Sequence, residues 1–434
     1  MNKLPNLLKE QFYYTLAVAS SMLSSILISI FGTRLLTINE YGLLALVKPL
    51  IVILSSFFGF GLFQSFLHWR WRKEINKSKL IQTTFGGILY SSIAFSILLL
   101  IILSLVLKDR NEFININGYL CLLVMCVTYM QNNEMINLYR VENLRKKFAS
   151  ITILRSFFQV IFISGFLSIT RKYTAYIYGL CISEALVYTF LVKEIGFYKP
   201  KIDIKLLKDL TKFGFPNALV ICGTFLLTFT DRYMMYFFSA NTTDIGIYDV
   251  NYLIAGGFIT FISRPVNIYI QPFITKLFYK EGIESAIFSL KKFEKIFLSV
   301  LFLITLFTIF FKSYIIEFFF TASYINKSII IIPLSISFLI NGLGITYRTF
   351  LNIQGKNRIN GISISIAIVF NIIINYFLIP KFGILGASLS TCICSFLEYY
   401  ILLISSKSYK HSLIFNLLVI FSIAILTIFG IIIN

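Results

Sequence analysis

The sequence predicts an all-α polytopic membrane protein. It should form two six-helix lobes related by an axis along the membrane normal, with one extra helix at the C-terminal end. Three observations carry this prediction. The 434 residues are 57% hydrophobic and 13% charged, with a mean hydropathy of +0.83, a balance that water-soluble domains do not sustain. The apolar residues run in continuous stretches of about 20 rather than alternating, so helices and not barrel strands must satisfy the backbone in lipid. The first half also resembles the second in the order of its charges and turns.

Along the chain, the first stretch (12–36) follows MNKLPNLLKEQ. It is too long for a signal-peptide core and no A-x-A cleavage pattern follows, so it reads as an uncleaved span. Stretches at 41–67, 81–107, 118–139, 148–170 and 174–195 complete a first lobe, 1–195. A basic linker at 196–212 leads to a second lobe, 213–404, with stretches at 213–239, 246–275, 296–311, 329–351, 361–379 and 385–404. The segment 405–434 carries a last one, 412–433, making thirteen. Glycines inside spans, at Gly59-Phe60-Gly61, Gly86-Gly87 and Gly256-Gly257, suit close helix contacts better than phosphate loops. Pro216, Pro265 and Pro272 should kink or loosen the seventh and eighth helices.

The net charge of +20 would suggest nucleic acid in a soluble chain, but the placement of the bases decides otherwise. With the N-terminus inside, the cytoplasmic segments hold 26 Lys and Arg and the opposite loops 7. That asymmetry orients the chain and accounts for most of the surplus, so no nucleic-acid partner is expected. All six cysteines lie in apolar stretches, and Cys392-x-Cys394 has no His or acid at ligand spacing. Neither a disulfide framework nor a metal site follows, and no cofactor is implied. His68 and His411 fall in cytoplasmic loops, away from any catalytic grouping. An enzyme acting on polyprenyl-linked sugars would need a sizeable external loop, and the longest here is about 17 residues around KSYIIEFFFTASYINKS.

Charges within the spans are the informative ones, because each costs roughly 2.5–3.5 kcal/mol at the bilayer centre. The bases are Arg34, Lys48, Arg155, Arg232, Arg264 and Arg348; the acids are Glu134, Glu184, Asp231, Asp249 and Glu398. Arg348 and Glu134 sit near cytoplasmic ends, where snorkelling suffices. Asp231 and Arg232 are adjacent, so on a helix they point about 100° apart and each needs a partner elsewhere.

The internal repeat runs through these charges. RLLTINEYGLLALV from Arg34 parallels RYMMYFFSANTTDIGIYDVN from Arg232, with Glu40-Tyr41-Gly42-Leu43 matching Asp244-Ile245-Gly246-Ile247. NLRKKFASITILRSFFQ parallels GKNRINGISISIAIVFN. Six spans per copy give both copies the same orientation and place a cavity at their interface. Arg232, as the equivalent of Arg34, is expected near the outer end of that cavity, with Asp231 holding a neighbouring helix.

The segments FGTRLLTINEYGLLALV, KDLTKFGFPNALVICGTFLLTFTDRYMMYFFSANTTDIGIYDVNYLIA and NRINGISISIAIVFNIIINYFLIPKFGILGASLST resemble the Wzx-type oligosaccharide flippases of polysaccharide biosynthesis. That family belongs to a superfamily with the multidrug and toxin extrusion antiporters and the lipid II flippases. The resemblance implies a non-enzymatic flippase in the bacterial cytoplasmic membrane, N-terminus inside. It would move undecaprenyl-diphosphate-linked oligosaccharide to the outer leaflet by alternating access. Membrane lipids and a polysaccharide polymerase or other assembly proteins are the partners it suggests. Lipid II flippases carry cavity arginines on the first, second and eighth helices, where this chain has Arg34, Lys48 and Arg264. Guanidinium groups can replace the hydration of a diphosphate, so Arg34, Lys48, Arg232, Arg264 and Arg155 form the expected substrate-binding set. Asp231 and Asp249 are expected gating or structural partners, and Glu184 and Glu398 candidate ion-coupling groups. The alternative is a cation antiporter of the same fold.

Overall fold

Among the described residues, each apolar stretch from 12–36 to 385–404 lies largely on helix, with a break inside 41–67; the one at 412–433 lies outside the described residues, as does His411. The computed structural model describes residues 4–70, 76–106, 116–142, 144–195, 201–238 and 241–406. In chain order the helices are α1 (Leu4–Leu35), α2 (Ile38–Phe58), α3 (Leu62–Trp69), α4 (Lys77–Val106), α5 (Ile116–Val141), α6 (Arg145–Thr170) and α7 (Thr174–Ile195). They continue with α8 (Ile204–Phe237), α9 (Thr242–Glu281), α10 (Ile283–Phe310), α11 (Lys312–Phe319), α12 (Ile331–Ile353), α13 (Asn357–Phe382) and α14 (Ile384–Ser405). Among the described residues ten are long and apolar enough to cross a membrane, eleven if the bent α8 counts as one span. The chain is a multi-pass, all-helical membrane protein. Helix α5 misses that criterion because Gln131, Asn132, Asn133, Glu134 and Arg140 crowd its second half.

Two compact units divide the chain, one up to Leu226 and one from Leu227, with the boundary inside α8. Within the first, α1 packs on α6, α6 and α5 pack on α7, and α4 on α5. Within the second, α13 and α12 pack on α14, α9 on α10 and α12, and α10 on α12. The recurring pairs, α6–α7 with α13–α14 and α5–α7 with α12–α14, carry the internal repeat into packing. Helix α12 is the most enclosed, its span 72% buried, and Leu339, Ile340, Leu343 and Tyr347 anchor the second unit's core against Leu298 and Leu301 of α10. The repeat also survives in capping. Thr37 accepts from Glu40 N at the start of α2, and Asn241 accepts from Thr243 N at the start of α9.

The sequence predicts one continuous span over 41–67, but the helix breaks between α2 and α3. Phe60 (φ 47°) and Gly61 (φ 63°) take left-handed backbone, and there α3 meets α8 backbone to backbone. A Cβ on Gly61 would lie 2.0 Å from the Gly214 carbonyl oxygen, and one on Gly214 2.2 Å from that of Gly61. Ser65 Oγ donates to Leu210 O at 2.6 Å across the same crossing. Only glycines allow such an approach. Helix α8 opens at Ile204, within the expected linker, because Asp203 Oδ1 accepts from Leu206 N at 2.9 Å. It bends by 46° between Ile204–Pro216 and Ile221–Phe237, where proline removes a donor and crowds the preceding turn. Helix α9 continues as one helix of 40 residues through Pro265 and Pro272.

Candidate functional site

The adjacent charges on α8 diverge as helical geometry requires. Asp231 has no exposure, and its carboxylate meets three other helices. Asn375 Nδ2 and Asn371 Nδ2 of α13 donate to Oδ1 at 2.7 and 3.3 Å. Tyr248 OH of α9 donates to Oδ2 at 2.6 Å, and Thr391 Oγ1 of α14 donates to the same oxygen. The i, i+4 asparagines therefore bond between helices. Four neutral donors stabilise the carboxylate in place of water. Asn375 Oδ1 is buried without a hydrogen-bond partner.

Arg232 turns the other way. It is 1% exposed, and its Nε and Nη2 both donate to Asp249 Oδ1, at 2.8 and 2.7 Å. Nη1 donates to the Thr228 carbonyl at 3.1 Å. The rings of Tyr252, Phe229 and Tyr248 lie 4.5, 5.1 and 5.4 Å from the guanidinium carbon. Tyr248 thus joins both networks, ring to Arg232 and hydroxyl to Asp231.

In the first unit, Arg155 of α6 and Glu184 of α7 form a comparable cluster. Glu184 Oε1 accepts from Arg155 Nε at 2.8 Å and Gln159 Nε2 at 2.7 Å, and Oε2 accepts from Asn132 Nδ2 at 2.8 Å. Arg155 Nη1 donates to Asn133 Oδ1 at 2.7 Å, and its guanidinium carbon lies 5.0 Å from the Tyr129 ring. A third pair, Arg348 Nη2 to Glu398 Oε1 at 2.6 Å, joins α12 to α14; at Arg348, where snorkelling is the sequence expectation, a carboxylate is bound instead.

The remaining expected residues are placed more simply. Arg34 is exposed in the last turn of α1. Lys48 Nζ donates to Ser25 Oγ at 3.2 Å, tying α2 to α1. Arg264 falls on α9, and its side chain lies outside the description. The structure therefore brings Arg232 together with Asp249, and Arg155 with Glu184, as ion pairs. Tyr248, Tyr252, Thr391, Asn132 and Gln159 complete these networks without any signal in the sequence beyond polar residues at apolar positions. Among the described residues no three His, Cys, Asp or Glu side chains gather as metal ligands would. His68 stacks on Phe213, ring centroids 4.5 Å apart.

The arrangement of helices has solved counterparts. The lipid II flippase MurJ, in an inward closed conformation, superposes with a TM-score of 0.71 at 18% identity, covering 96% of this chain and 91% of that one. An inward-facing multidrug-resistance MATE family transporter of the MOP superfamily gives 0.66 at 12% identity, covering 90% and 97%. A mutant of the Vibrio cholerae MATE transporter VcmN gives 0.64 at 14%, covering 95% and 99%. The chain shares the fold of these transporters. In sequence, it is 25% identical over 404 residues to the uncharacterized membrane protein MJ1068 of Methanocaldococcus jannaschii, covering 81% of this chain and 74% of that protein. No protein-family model matches the chain.

Proposed function

We propose that the protein flips a lipid-linked oligosaccharide carried on a polyprenyl diphosphate, by alternating access, from the cytoplasmic to the outer leaflet of the cytoplasmic membrane. Surface-polysaccharide assembly would consume the product. The observation that carries this reading is the fold shared with a lipid II flippase across 96% of the chain, together with bases set into apolar helices. Arg34 on α1 and Lys48 on α2 belong to neighbouring helices of the first unit, and with Arg264 on α9 they are the cations assigned to the diphosphate. Arg155 and Arg232 reach it, on this reading, only by leaving Glu184 and Asp249. The N-terminus lies on the cytoplasmic side, as the loop charges require.

A second reading has its own observation. MATE transporters share the fold, and the buried carboxylate of Asp231 is a group a cation antiporter would use. Deletion in the native host, followed by measurement of the sidedness of lipid-linked oligosaccharide, separates the two. A flippase leaves it trapped inside, and Arg34→Ala, Lys48→Ala and Arg264→Ala reproduce the defect at normal protein abundance. Unchanged sidedness together with lost resistance to cationic drugs would replace this reading with the antiporter.

A further inference from the structure

Two of the six cysteines differ from the rest. Cys126, Cys222, Cys392 and Cys394 are buried, whereas Cys121 of α5 and Cys181 of α7 are half-buried. These two also meet. Helix α5 packs on α7, and the Cys121 and Cys181 thiols hydrogen-bond to each other across that contact. Their chain neighbours Leu120 and Ile182 are 52% and 38% exposed, so the pair sits at the rim of the first unit rather than in its core. Cys126 lies near Cys181 but is fully buried. Cys392 and Cys394, two apart on one helix, do not face each other.

Cysteines whose side chains point apart cannot be bridged without moving backbone; this pair points together from two packed helices. Cys121 lies five residues into α5 and Cys181 seven into α7, about 8 and 11 Å from the helix starts. Both helices start on the outer side when the N-terminus is inside, so the inference rests on the orientation given under the proposed function. The outer side is where disulfides form and persist. A single bridge there differs from a disulfide framework, which the burial of the other four thiols excludes.

We propose that Cys121 and Cys181 form a reversible disulfide that braces α5 against α7 when the outer compartment is oxidising. The oxidant is an incoming disulfide R–S–S–R, carried by a small thiol compound or a thiol–disulfide oxidoreductase. One cysteine, as thiolate, attacks it, forming a mixed disulfide and releasing RS⁻, which takes up the thiol proton. The second cysteine loses its proton, displaces the remaining RS⁻ and closes the bridge. Two thiols are oxidised, and one disulfide is reduced to two RSH. The loop so closed contains the whole of α6, and the bridge restricts the unfolded chain accordingly. Glu184, one turn beyond Cys181, is held by Asn132 of α5 and Arg155 of α6, so the bridge steadies the helix pair that frames this cluster.

The test uses the full chain in membranes of aerobically grown cells. Cells are quenched in acid, free thiols are blocked with N-ethylmaleimide after denaturation, and thiols released by reduction take a heavy form of the reagent. Cys121 and Cys181 should carry the heavy form in most chains, and the other four cysteines the light one. A non-reduced digest should contain one peptide pair joining Cys121 to Cys181. Reduction should lower the thermal midpoint of the wild type and leave that of Cys121→Ser unmoved; Cys181→Ala stands in if that variant does not accumulate. Lys172→Cys, exposed between α6 and α7, reports orientation in a Cys121→Ser/Cys181→Ser chain by reacting with an impermeant maleimide from outside. Light reagent at both Cys121 and Cys181, a bridge through Cys126, or a wild-type midpoint indifferent to reduction overturns the proposal, whichever way Lys172→Cys reads. An unreactive Lys172→Cys overturns the orientation separately.

Discussion

Replacing Arg232 with alanine tests whether the base braces the second unit or serves the substrate. The change removes two bonds to Asp249, one to the Thr228 carbonyl, and three ring contacts at 4.5 to 5.4 Å. Breaking a buried ion pair costs about 3–5 kcal/mol, mostly from the charge left behind. Asp249 keeps 19% side-chain exposure, so water can take up part of its charge and the lower end applies, about 3 kcal/mol. Asp249→Ala should cost more, about 4–5 kcal/mol, because Arg232 is 1% exposed and cannot be rehydrated. Arg232→Lys keeps the charge and loses the fork, costing about 1–2 kcal/mol. The assay is a double-mutant cycle on thermal midpoints of the extracted protein, read beside membrane abundance and oligosaccharide sidedness. The Arg232→Ala/Asp249→Ala double variant should recover at least about 2 kcal/mol relative to additivity. An additive cycle would refute the brace. So would Arg232→Ala at wild-type abundance and midpoint with a tenfold loss of flipping, which would return Arg232 to the substrate.

Asp231→Asn keeps shape but removes the charge that Asn375, Tyr248 and Thr391 address; transport should fall about ten- to a hundredfold, at roughly 1.5–3 kcal/mol for a charge-assisted bond, with abundance at least half of wild type. Wild-type transport would show the carboxylate to be structural. Glu184→Gln should lower the thermal midpoint, since Arg155 loses its counter-charge, while transport per molecule stays within about twofold; Arg155→Met in the same chain should restore the midpoint, and lost transport at normal abundance would assign Glu184 to ion coupling. Gly214→Ala should abolish accumulation, because its Cβ would sit 2.2 Å from the Gly61 carbonyl oxygen, and normal levels would disprove the crossing. The Lys79 ammonium holds the Asp203 carboxylate below the usual range. A depressed folded pKa gives stability that is present above the unfolded value near ~3.9 and lost as pH falls through the folded one; the wild-type midpoint should therefore drop below about pH 4 more steeply than that of Asp203→Asn, and parallel curves would contradict it.

The helical class and most helix positions were legible because insertion into lipid depends on composition, and composition is local. The repeat was legible where it lies at helix starts, since Glu40 and Asp244 mark them locally; there Thr37 caps onto Glu40 N and Asn241 onto Thr243 N. Gly59-Phe60-Gly61 marked a close helix contact, but neither the break there nor its partner was legible, because nothing in that run points to Gly214 of α8 far along the chain. The intramembrane charges could be named from the sequence, but their partners could not. Asp231 bonds residues up to 160 positions away, and only packing decides which polar residue of another helix arrives at its carboxylate. The 100° divergence of Asp231 and Arg232 follows from helical pitch alone. That Tyr248 serves both does not.

The three intramembrane ion pairs share a property that bears on transport. Arg155 with Glu184 joins α6 to α7, Arg232 with Asp249 joins α8 to α9, and Arg348 with Glu398 joins α12 to α14. Each lies wholly within one unit, and each is costly to open once formed. A transporter working by alternating access needs bodies that keep their internal geometry while they move. Buried pairs confined to a unit supply that stiffness where hydrophobic packing against lipid cannot, since lipid tails offer no hydrophobic gain for one helix contact over another. On the reading proposed above, these three pairs hold each unit rigid, and Arg34, Lys48 and Arg264 are the bases assigned to the diphosphate. Neutralising a whole pair should then alter stability far more than substrate preference, whereas neutralising Arg34 or Lys48 should do the reverse.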